Sequence, residues 1–202
     1  MNDIRQQFGD IDIYLFDQLL RRRIVPGMRI FDGGCGTGRN LVYLLRSGYE
    51  VAGCDRDHAA VESARALAAR LAPHLPVTNF RVEAIEDMSF PDAWADVALA
   101  SAILHFASDD DQFLAMLGGL WRVLKPGGML FARLASSIGI EDRVLSVGGR
   151  RYRLPDGSER YLVDEGLLLR LTSQLGGELL DPIKTTVVQD QRAMTTWVVR
   201  KA

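Results

Sequence analysis

The stretch Phe31-Asp32-Gly33-Gly34-Cys35-Gly36-Thr37-Gly38 decides the fold of this 202-residue chain. It follows a short apolar run, Met28 to Phe31, and precedes a helical pattern marked by Leu41, Leu44 and Leu45. Glycine lacks a Cβ and readily adopts positive φ, so this strand, loop and helix allow bare backbone to approach a ligand. The stretch therefore predicts a nucleotide-cofactor site at the start of a βαβ unit.

On both sides of this loop, short apolar runs alternate with longer helical patterns from Met28 to Leu134. This alternation is typical of an α/β fold with a parallel sheet. A leading helix is predicted from Ile13, Phe16 and Leu20 at i, i+3 and i+7. The predicted strands lie at 28–31, 50–54, about 77–82, 96–100, 129–132, 184–189 and 194–199, and a polar hairpin lies between 150 and 162.

Composition limits the class of protein. Lys and Arg number 24 against 26 for Asp and Glu, so the formal charge of -2 supplies no general attraction to nucleic acid. The two cysteines, Cys35 and Cys54, lack the spacing of a zinc site or a disulfide scaffold and fit a reducing cytoplasm. The sequence has no basic-then-apolar leader and no run approaching the ~20 apolar residues of a membrane span. We therefore expect a cytoplasmic protein with no nucleic-acid or membrane partner.

Two acids sharpen the interpretation of the loop. Asp55 ends the second predicted strand, where a doubly wound sheet presents a carboxylate to ribose hydroxyls, although a solvated strand-end charge is the alternative. Asp32 ends the first strand, where it would repel a pyrophosphate but stabilise the amino group and sulfonium of S-adenosylmethionine. Asp32 therefore favours the methyl donor over NAD.

These residues resemble motif I of the class I S-adenosylmethionine-dependent methyltransferases. The resemblance spans 28 to about 134 and includes Asp55, the segment Asp96 to His105, and the turn Leu124-Lys125-Pro126-Gly127-Gly128. It implies S-adenosylmethionine as cofactor and a Rossmann-like doubly wound seven-stranded sheet, mostly parallel with an antiparallel last strand, and helices on both faces. Gly38-Arg39-Asn40 and the closing strand also resemble the tellurite-resistance-type branch, which acts on small molecules.

The resemblance implies a set of cofactor contacts. One position departs from the family, because Ala84 stands where an adenine-contacting acid is common. The backbone of Ile85 would still meet the adenine, and Glu86 or Glu83 would replace the missing side chain. The expected cofactor-binding residues are Asp32, Gly34, Cys35, Gly36, Gly38, Asn40, Asp55, Arg56, Ile85, Glu86 and Ser101.

Candidates for the acceptor site follow the fourth and fifth strands. Methyl transfer is an in-line displacement that mainly needs positioning, so few residues need be catalytic. His105 is a base or a substrate contact, or else a buried histidine bonded to a loop carbonyl. Arg133 and Ser136 are candidate contacts to an acidic acceptor, or exposed strand-end residues. No metal is expected, because Asp109-Asp110-Asp111 more simply caps and charges the next helix.

We therefore predict a single methyltransferase domain acting on a small molecule. Its parts are a leading cap (1–27), a cofactor-binding core (28–135), an insert over the acceptor site (136–165) and a C-terminal helix with strands (166–202). Two alternatives stay open: a NAD(P)-dependent oxidoreductase, and a noncatalytic S-adenosylmethionine-binding partner protein. The sequence leaves the acceptor and the oligomeric state open.

Overall fold

The computed structural model describes residues 3–202. The fold is built around a central β-sheet. Its strands run in the order β10-β11-β5-β4-β1-β2-β3, and β9 pairs with the far end of β11. Strands β1 to β5 are parallel neighbours, whereas β11 is antiparallel to both β5 and β10. The strands described are β1 (Arg29–Gly33), β2 (Glu50–Asp55), β3 (Phe80–Val82), β4 (Ala95–Ser101), β5 (Leu124–Ser136), β6 (Leu145–Gly148), β7 (Arg151–Arg153), β8 (Glu159–Tyr161), β9 (Gly177–Leu179), β10 (Lys184–Val188) and β11 (Arg192–Lys201).

Helices cover both faces of this sheet, as predicted. Alternate strand residues face opposite ways, so Ile30 packs with one buried cluster and Phe31 with the other. The first cluster contains Leu44 and Val61, and the second contains Phe113 and Leu168. The helices are α1 (Ile4–Phe8), α2 (Ile13–Leu20), α3 (Val42–Arg46), α4 (His58–Leu71), α5 (Asp110–Val123) and α6 (Glu165–Gln174). Within residues 3–202, no helix combines the length and the apolar character that a membrane crossing requires.

The leading helix forms, but the apolar residues that predicted it are not all on its buried face. Ile13 and Leu20 are 70% and 66% exposed, whereas Leu15 and Gln18 are buried. Polar contacts explain the orientation, because the Gln18 amide donates to Asp181 Oδ2 at 3.2 Å. In a helix of two turns, such contacts outweigh the weak apolar periodicity.

The predicted hairpin at 150–162 forms between β7 and β8, and β6 adds a third, unpredicted strand. All four residues of β6 are exposed, so they show no alternation that would reveal a strand. This small sheet stands on the carboxyl end of β5, where Leu154 and Leu162 pack against Ala135. The insert therefore lies at the edge where parallel sheets bind ligands.

Two other boundaries differ from prediction, and two short elements were not predicted. The third strand is Phe80–Val82 alone, because Val77–Asn79 forms a 3₁₀ turn after Pro76. The predicted break at 125–128 is a bulge inside β5, where the pairing jumps from Ala95 with Leu124 to Val97 with Met129. Strand β9 has three residues and helix α1 has five, and neither was predicted because such short segments carry no clear periodic pattern.

Candidate active site

The glycine loop turns tightly between β1 and α3 at the carboxyl edge of the sheet. The N–H of Gly34 donates to the Cys54 carbonyl at 2.8 Å, and the N–H of Gly36 donates to Asp55 Oδ2 at 2.9 Å. Gly36 has φ +52°, and apart from its two chain neighbours no heavy atom of residues 3–202 lies within 4 Å of where its Cβ would stand. A Cβ at Gly34 would lie 2.4 Å from Ile103 Cγ1. The loop thus presents bare backbone to open space while packing closely against the segment after β4.

A first cavity, called here the acidic cavity, opens in front of this loop. Five of the predicted cofactor residues line it: Gly34, Asp55, Arg56, Ile85 and Glu86. The sequence did not single out four other lining residues, Ile103, Phe106, Gln112 and Met116. Those from α5 lie on one helix face, and only the packing of α5 over the segment 85–87 brings them to the cavity.

Glu86 lines the acidic cavity and has one oxygen that is not used by other residues. Its Oε1 contacts Arg56 and accepts from the Gln112 amide at 2.9 Å, while its Oε2 is buried and has no partner within residues 3–202. Burial raises the pKa of Glu86, but the Gln112 and Arg56 contacts outweigh it and leave the pKa below its usual value. Glu83 is instead occupied by the backbone and hydroxyl of Ser89. Glu86 is therefore the better candidate for the residue that compensates for Ala84.

Asp32 is a buried carboxylate beside the glycine loop. Burial raises its pKa to about 7, with Arg39 lowering it and Asp55 raising it further. Within residues 3–202, no hydrogen bond to the Asp32 carboxylate contributes to this change in its pKa. A buried carboxylate without a donor is costly, and a cationic ligand would relieve that cost.

The remaining predicted cofactor residues support the loop rather than the cavity wall. Asn40 is buried, and its Oδ1 accepts from the N–H of Asp12 at 2.9 Å. Cys35 is buried as well, and burial raises the pKa of its thiol, so the thiol stays protonated. Gly38 turns the chain with φ +81°. Ser101 accepts from Arg39 at 3.1 Å, which joins the end of β4 to the loop.

A second cavity, called here the basic cavity, has a volume of about 240 Å³. It lies beyond the ends of β4 and β5 and under the insert, with walls from Ala102, Arg133, Leu154, Arg160 and Arg192 among others. The segment 101–106 separates the two cavities. Ile103 and Phe106 line the acidic cavity and Ala102 and His105 line the basic one.

Ala102 holds a sparsely populated backbone conformation at this dividing wall. Its φ is +63°, and its N–H donates to the Arg133 carbonyl at 2.7 Å. Left-handed φ is uncommon for a residue with a Cβ, and such strain concentrates at ligand sites. The wall between the cavities is therefore fixed to β5 by a bond that compensates for the strain.

His105 is buried in the wall of the basic cavity. Its Nδ1 accepts from the N–H of Ala135 at 3.2 Å, so its partner is a backbone amide and not the predicted carbonyl. Burial, aided by Arg160, lowers the pKa of His105 to about 4. The imidazole is thus neutral at pH 7 with its proton on Nε2. That arrangement favours a hydrogen-bond donor over a general base.

The other two acceptor candidates differ in placement. Arg133 lines the basic cavity and pairs with the buried Asp12 at 2.9 Å. Ser136 is fully buried, and its Oγ accepts from Thr195 at 2.7 Å inside the pairing of β5 with β11. The structure does not place Ser136 in the cavity wall, because β5 continues past the ligand edge into that pairing.

Metal ligands do not cluster in the part of the chain described. Residues 3–202 contain no group of three or more His, Cys, Asp or Glu side chains placed to hold an ion. Asp109 caps α5 instead, since its Oδ1 accepts from the N–H of Gln112 at 2.8 Å.

The glycine loop, the two strand-end acids and the paired cavities define a Rossmann-like cofactor enzyme. Residues 31–132 match the family described as "Methyltransferase domain", and the chain belongs to this family. It is 29% identical to a ubiquinone biosynthesis O-methyltransferase of Mesorhizobium japonicum, over 93% of this chain and 77% of that one. It is also 33% identical to a malonyl-[acyl-carrier protein] O-methyltransferase of Serratia marcescens, but it spans only 40% of that protein.

Solved structures share the fold. A S-adenosylmethionine-dependent methyltransferase of Methanosarcina mazei superposes with a TM-score of 0.73 at 22% identity, covering 91% of this chain and 96% of the other. The 1,6-didemethyltoxoflavin-N1-methyltransferase of Burkholderia thailandensis, with S-adenosylhomocysteine bound, gives 0.72 at 17% identity, over 99% and 81%.

The predicted fold class, cofactor and enzyme class are confirmed: the chain is a S-adenosylmethionine-dependent methyltransferase of a family that acts on small molecules. The oxidoreductase alternative is thereby set aside. The resemblance to the tellurite-resistance-type branch stays a prediction.

Proposed function

We propose that the acidic cavity holds S-adenosylmethionine and that the basic cavity holds the small molecule that receives its methyl group. The buried Asp32 carboxylate, which no residue of the described chain neutralises by hydrogen bonding, is the observation that carries this proposal. It lies beside the loop whose Gly36 faces open space. Bound there, the cofactor would supply a methyl group activated by a positively charged sulfur.

The proposed cofactor contacts follow from the free acceptors of the site. Each oxygen of Asp55 accepts one backbone N–H, from Gly36 and from Asp57, and retains a lone pair for a ribose hydroxyl. The unpartnered Oε2 of Glu86 suits the amino group of adenine, beside the backbone of Ile85. Asp32 offers a negative charge to the amino group and the sulfonium.

In the acceptor site, we propose that the protein positions the acceptor and does not remove a proton from it. The neutral His105 can donate from Nε2 to an acceptor oxygen or nitrogen, which would hold the nucleophile in line with the methyl group. Its low pKa and occupied Nδ1 make proton abstraction by this residue unfavourable. We thus propose His105 as a positioning contact to substrate.

The insert and the leading cap complete the acceptor site in this proposal. Leu154, Asp156 and Arg160 of the insert line the basic cavity. From the cap, Asp12 anchors Arg133, and Tyr14 shares a 2.6 Å hydrogen bond with Thr186 of β10. Both segments are therefore fixed over the carboxyl edge of the sheet.

Two measurements test the proposal. Calorimetry should show S-adenosylhomocysteine binding that Asp55→Ala weakens, while Asp57→Ala, which removes only the cap of α4, serves as the matched control. Release of S-adenosylhomocysteine should then be followed with a panel of small hydroxylated, carboxylated and heterocyclic acceptors. Equal affinity in Asp55→Ala would refute the ribose assignment, and tight binding without turnover of any acceptor would favour the noncatalytic partner.

A further inference from the structure

We propose that the acceptor carries a carboxylate, which Arg133, Arg160 and Arg192 hold in the basic cavity. This inference rests on the proposed function, since it names the class of molecule that enters the acceptor site. The three arginines come from three separate strands, β5, β8 and β11, and all line the same cavity. Arg133 and Arg160 are half-buried and Arg192 is exposed, and together they bring three guanidinium groups from different parts of the chain to one cavity.

Arg133 has a donor to spare. One of its terminal nitrogens pairs with Asp12 at 2.9 Å, and its guanidinium lies 5.3 Å from the centre of the Tyr14 ring. Its Nε is buried and has no partner within residues 3–202. A buried N–H left without an acceptor is destabilising, so a small shift of Arg133 toward a ligand oxygen in the cavity would relieve that cost.

Arg160 and Arg192 carry charge that the described chain does not pair. Within residues 3–202, neither arginine has a carboxylate oxygen within 4 Å, so neither forms an ion pair. Arg160 is nonetheless held in place, because it donates to the Glu159 carbonyl at 2.7 Å and lies over the Phe106 ring at 4.8 Å. It therefore presents an oriented positive charge to the cavity.

Neighbouring arginines of the insert show the contrast. Arg150 pairs with Asp164 at 2.8 Å, and Arg153 pairs with Glu159 at 2.7 Å. Arg151 also approaches Glu159, at 3.6 Å. Of the insert's basic residues near the hairpin, the one lining the cavity is the one left without a carboxylate. The unpaired charge is thus located at the cavity.

The net charge of the side chains around the basic cavity favours a singly charged anion. Three arginines face two carboxylates, Asp12 and Asp156, and His105 is neutral, so one net positive charge remains. Hydrogen bonds from Ser158 lower the pKa of Asp156, and the nearby charges of Arg160 and Arg192 lower it further. One net charge matches a monoanionic carboxylate better than a dianionic phosphate. Leu154 and Met194 add apolar wall for the rest of the molecule.

Calorimetry on protein saturated with S-adenosylhomocysteine tests this inference. The probes are 4-hydroxybenzoate, its neutral analogue 4-hydroxybenzamide, and phenyl phosphate. We expect 4-hydroxybenzoate to bind about 10-fold more tightly than the amide, because a charge-assisted hydrogen bond contributes roughly 1.5 kcal/mol, or about one factor of ten. Arg160→Gln and Arg192→Gln should each remove most of that preference. Arg143→Gln, which changes an exposed arginine of the same insert, is the matched control and should leave it unchanged.

The outcomes separate this inference from the proposed function. Failure of S-adenosylhomocysteine to bind the wild-type protein would refute the proposed function itself. Normal cofactor binding, with 4-hydroxybenzoate no tighter than the amide or not bound at millimolar concentration, would overturn the carboxylate site alone. Tighter binding of phenyl phosphate would also overturn it, in favour of a dianion. Melting curves of the variants in the same buffer confirm that each one is folded.

Discussion

The two cavities that meet at the segment 101–106 have opposite charge. The acidic cavity is lined by Asp55, Glu83 and Glu86, with Asp32 buried beside it, whereas the basic cavity is lined by three arginines. Opposite charges on the two sides of one thin wall suit a cationic donor and an anionic acceptor. The same separation disfavours binding of either molecule in the other's place, since like charges repel at these distances.

The largest expected effect comes from Asp32→Asn, which keeps the shape and removes the charge. We expect S-adenosylmethionine affinity to fall about 100-fold at pH 7.5, since a buried charge pair contributes roughly 3 kcal/mol. Calorimetry with both cofactor forms measures the change. S-adenosylhomocysteine lacks the sulfonium charge, so it should lose less affinity than S-adenosylmethionine. Equal losses would place the sulfonium away from Asp32.

The pH dependence of the wild-type protein gives the next largest effect. Asp32 must be ionised to hold a cation, and its pKa is about 7, so S-adenosylmethionine affinity should rise roughly tenfold from pH 6 to 7.5. Asp32→Asn should abolish this slope. Stability runs the other way: burial raises the folded pKa to about 7, above the usual value of an aspartate, so the free energy of unfolding falls as the pH rises from about 4 to about 7. Asp32→Asn should therefore melt higher than wild type at pH 8 and show little difference at pH 4.

Glu86→Gln tests the adenine end of the acidic cavity. The variant keeps a carbonyl oxygen but loses the charge that Arg56 and Gln112 stabilise. We expect S-adenosylhomocysteine to bind about fivefold more weakly, near the value of one hydrogen bond. Glu83→Gln is the control, because Glu83 already bonds to Ser89. A larger loss in Glu83→Gln than in Glu86→Gln would reverse the assignment.

His105→Gln should have the smallest effect of the four. Glutamine can donate an N–H as the neutral imidazole does, so we expect kcat to fall less than tenfold, whereas loss of a general base costs about 100-fold or more. The pH profile of kcat is the sharper readout. An acid limb in the wild type that disappears in His105→Gln would show that His105 titrates during turnover and would contradict the donor role.

The sequence predicted the acidic cavity better than the basic one. Asp32, Gly36 and Asp55 lie next to strand ends in a single βαβ unit, so local pattern locates them. The basic cavity instead joins residues that are distant along the chain. Arg160 was predicted only as part of a polar hairpin, and Arg192 lies just before the predicted strand 194–199. Nothing local reveals that these two segments converge on Arg133.

The hydrogen-bond partners of individual side chains also could not be predicted from the sequence. Asn40 and Ser136 have the residue types of ligand contacts, yet each is buried and bonded within the protein. The inward face of α2 was also missed, because the salt-bridged Asp181 that fixes it lies near the other end of the chain. Conversely, the proposed donor role of His105 depends on one backbone amide that only the folded chain brings near.

Asp12 connects the glycine loop to the basic cavity. Its backbone is held by Asn40 at the end of the glycine loop, and its carboxylate holds Arg133 in the basic cavity. A displacement of the loop would therefore also displace Asp12 and, through it, Arg133. We expect binding of the cofactor and binding of the acceptor to be coupled through this residue rather than independent.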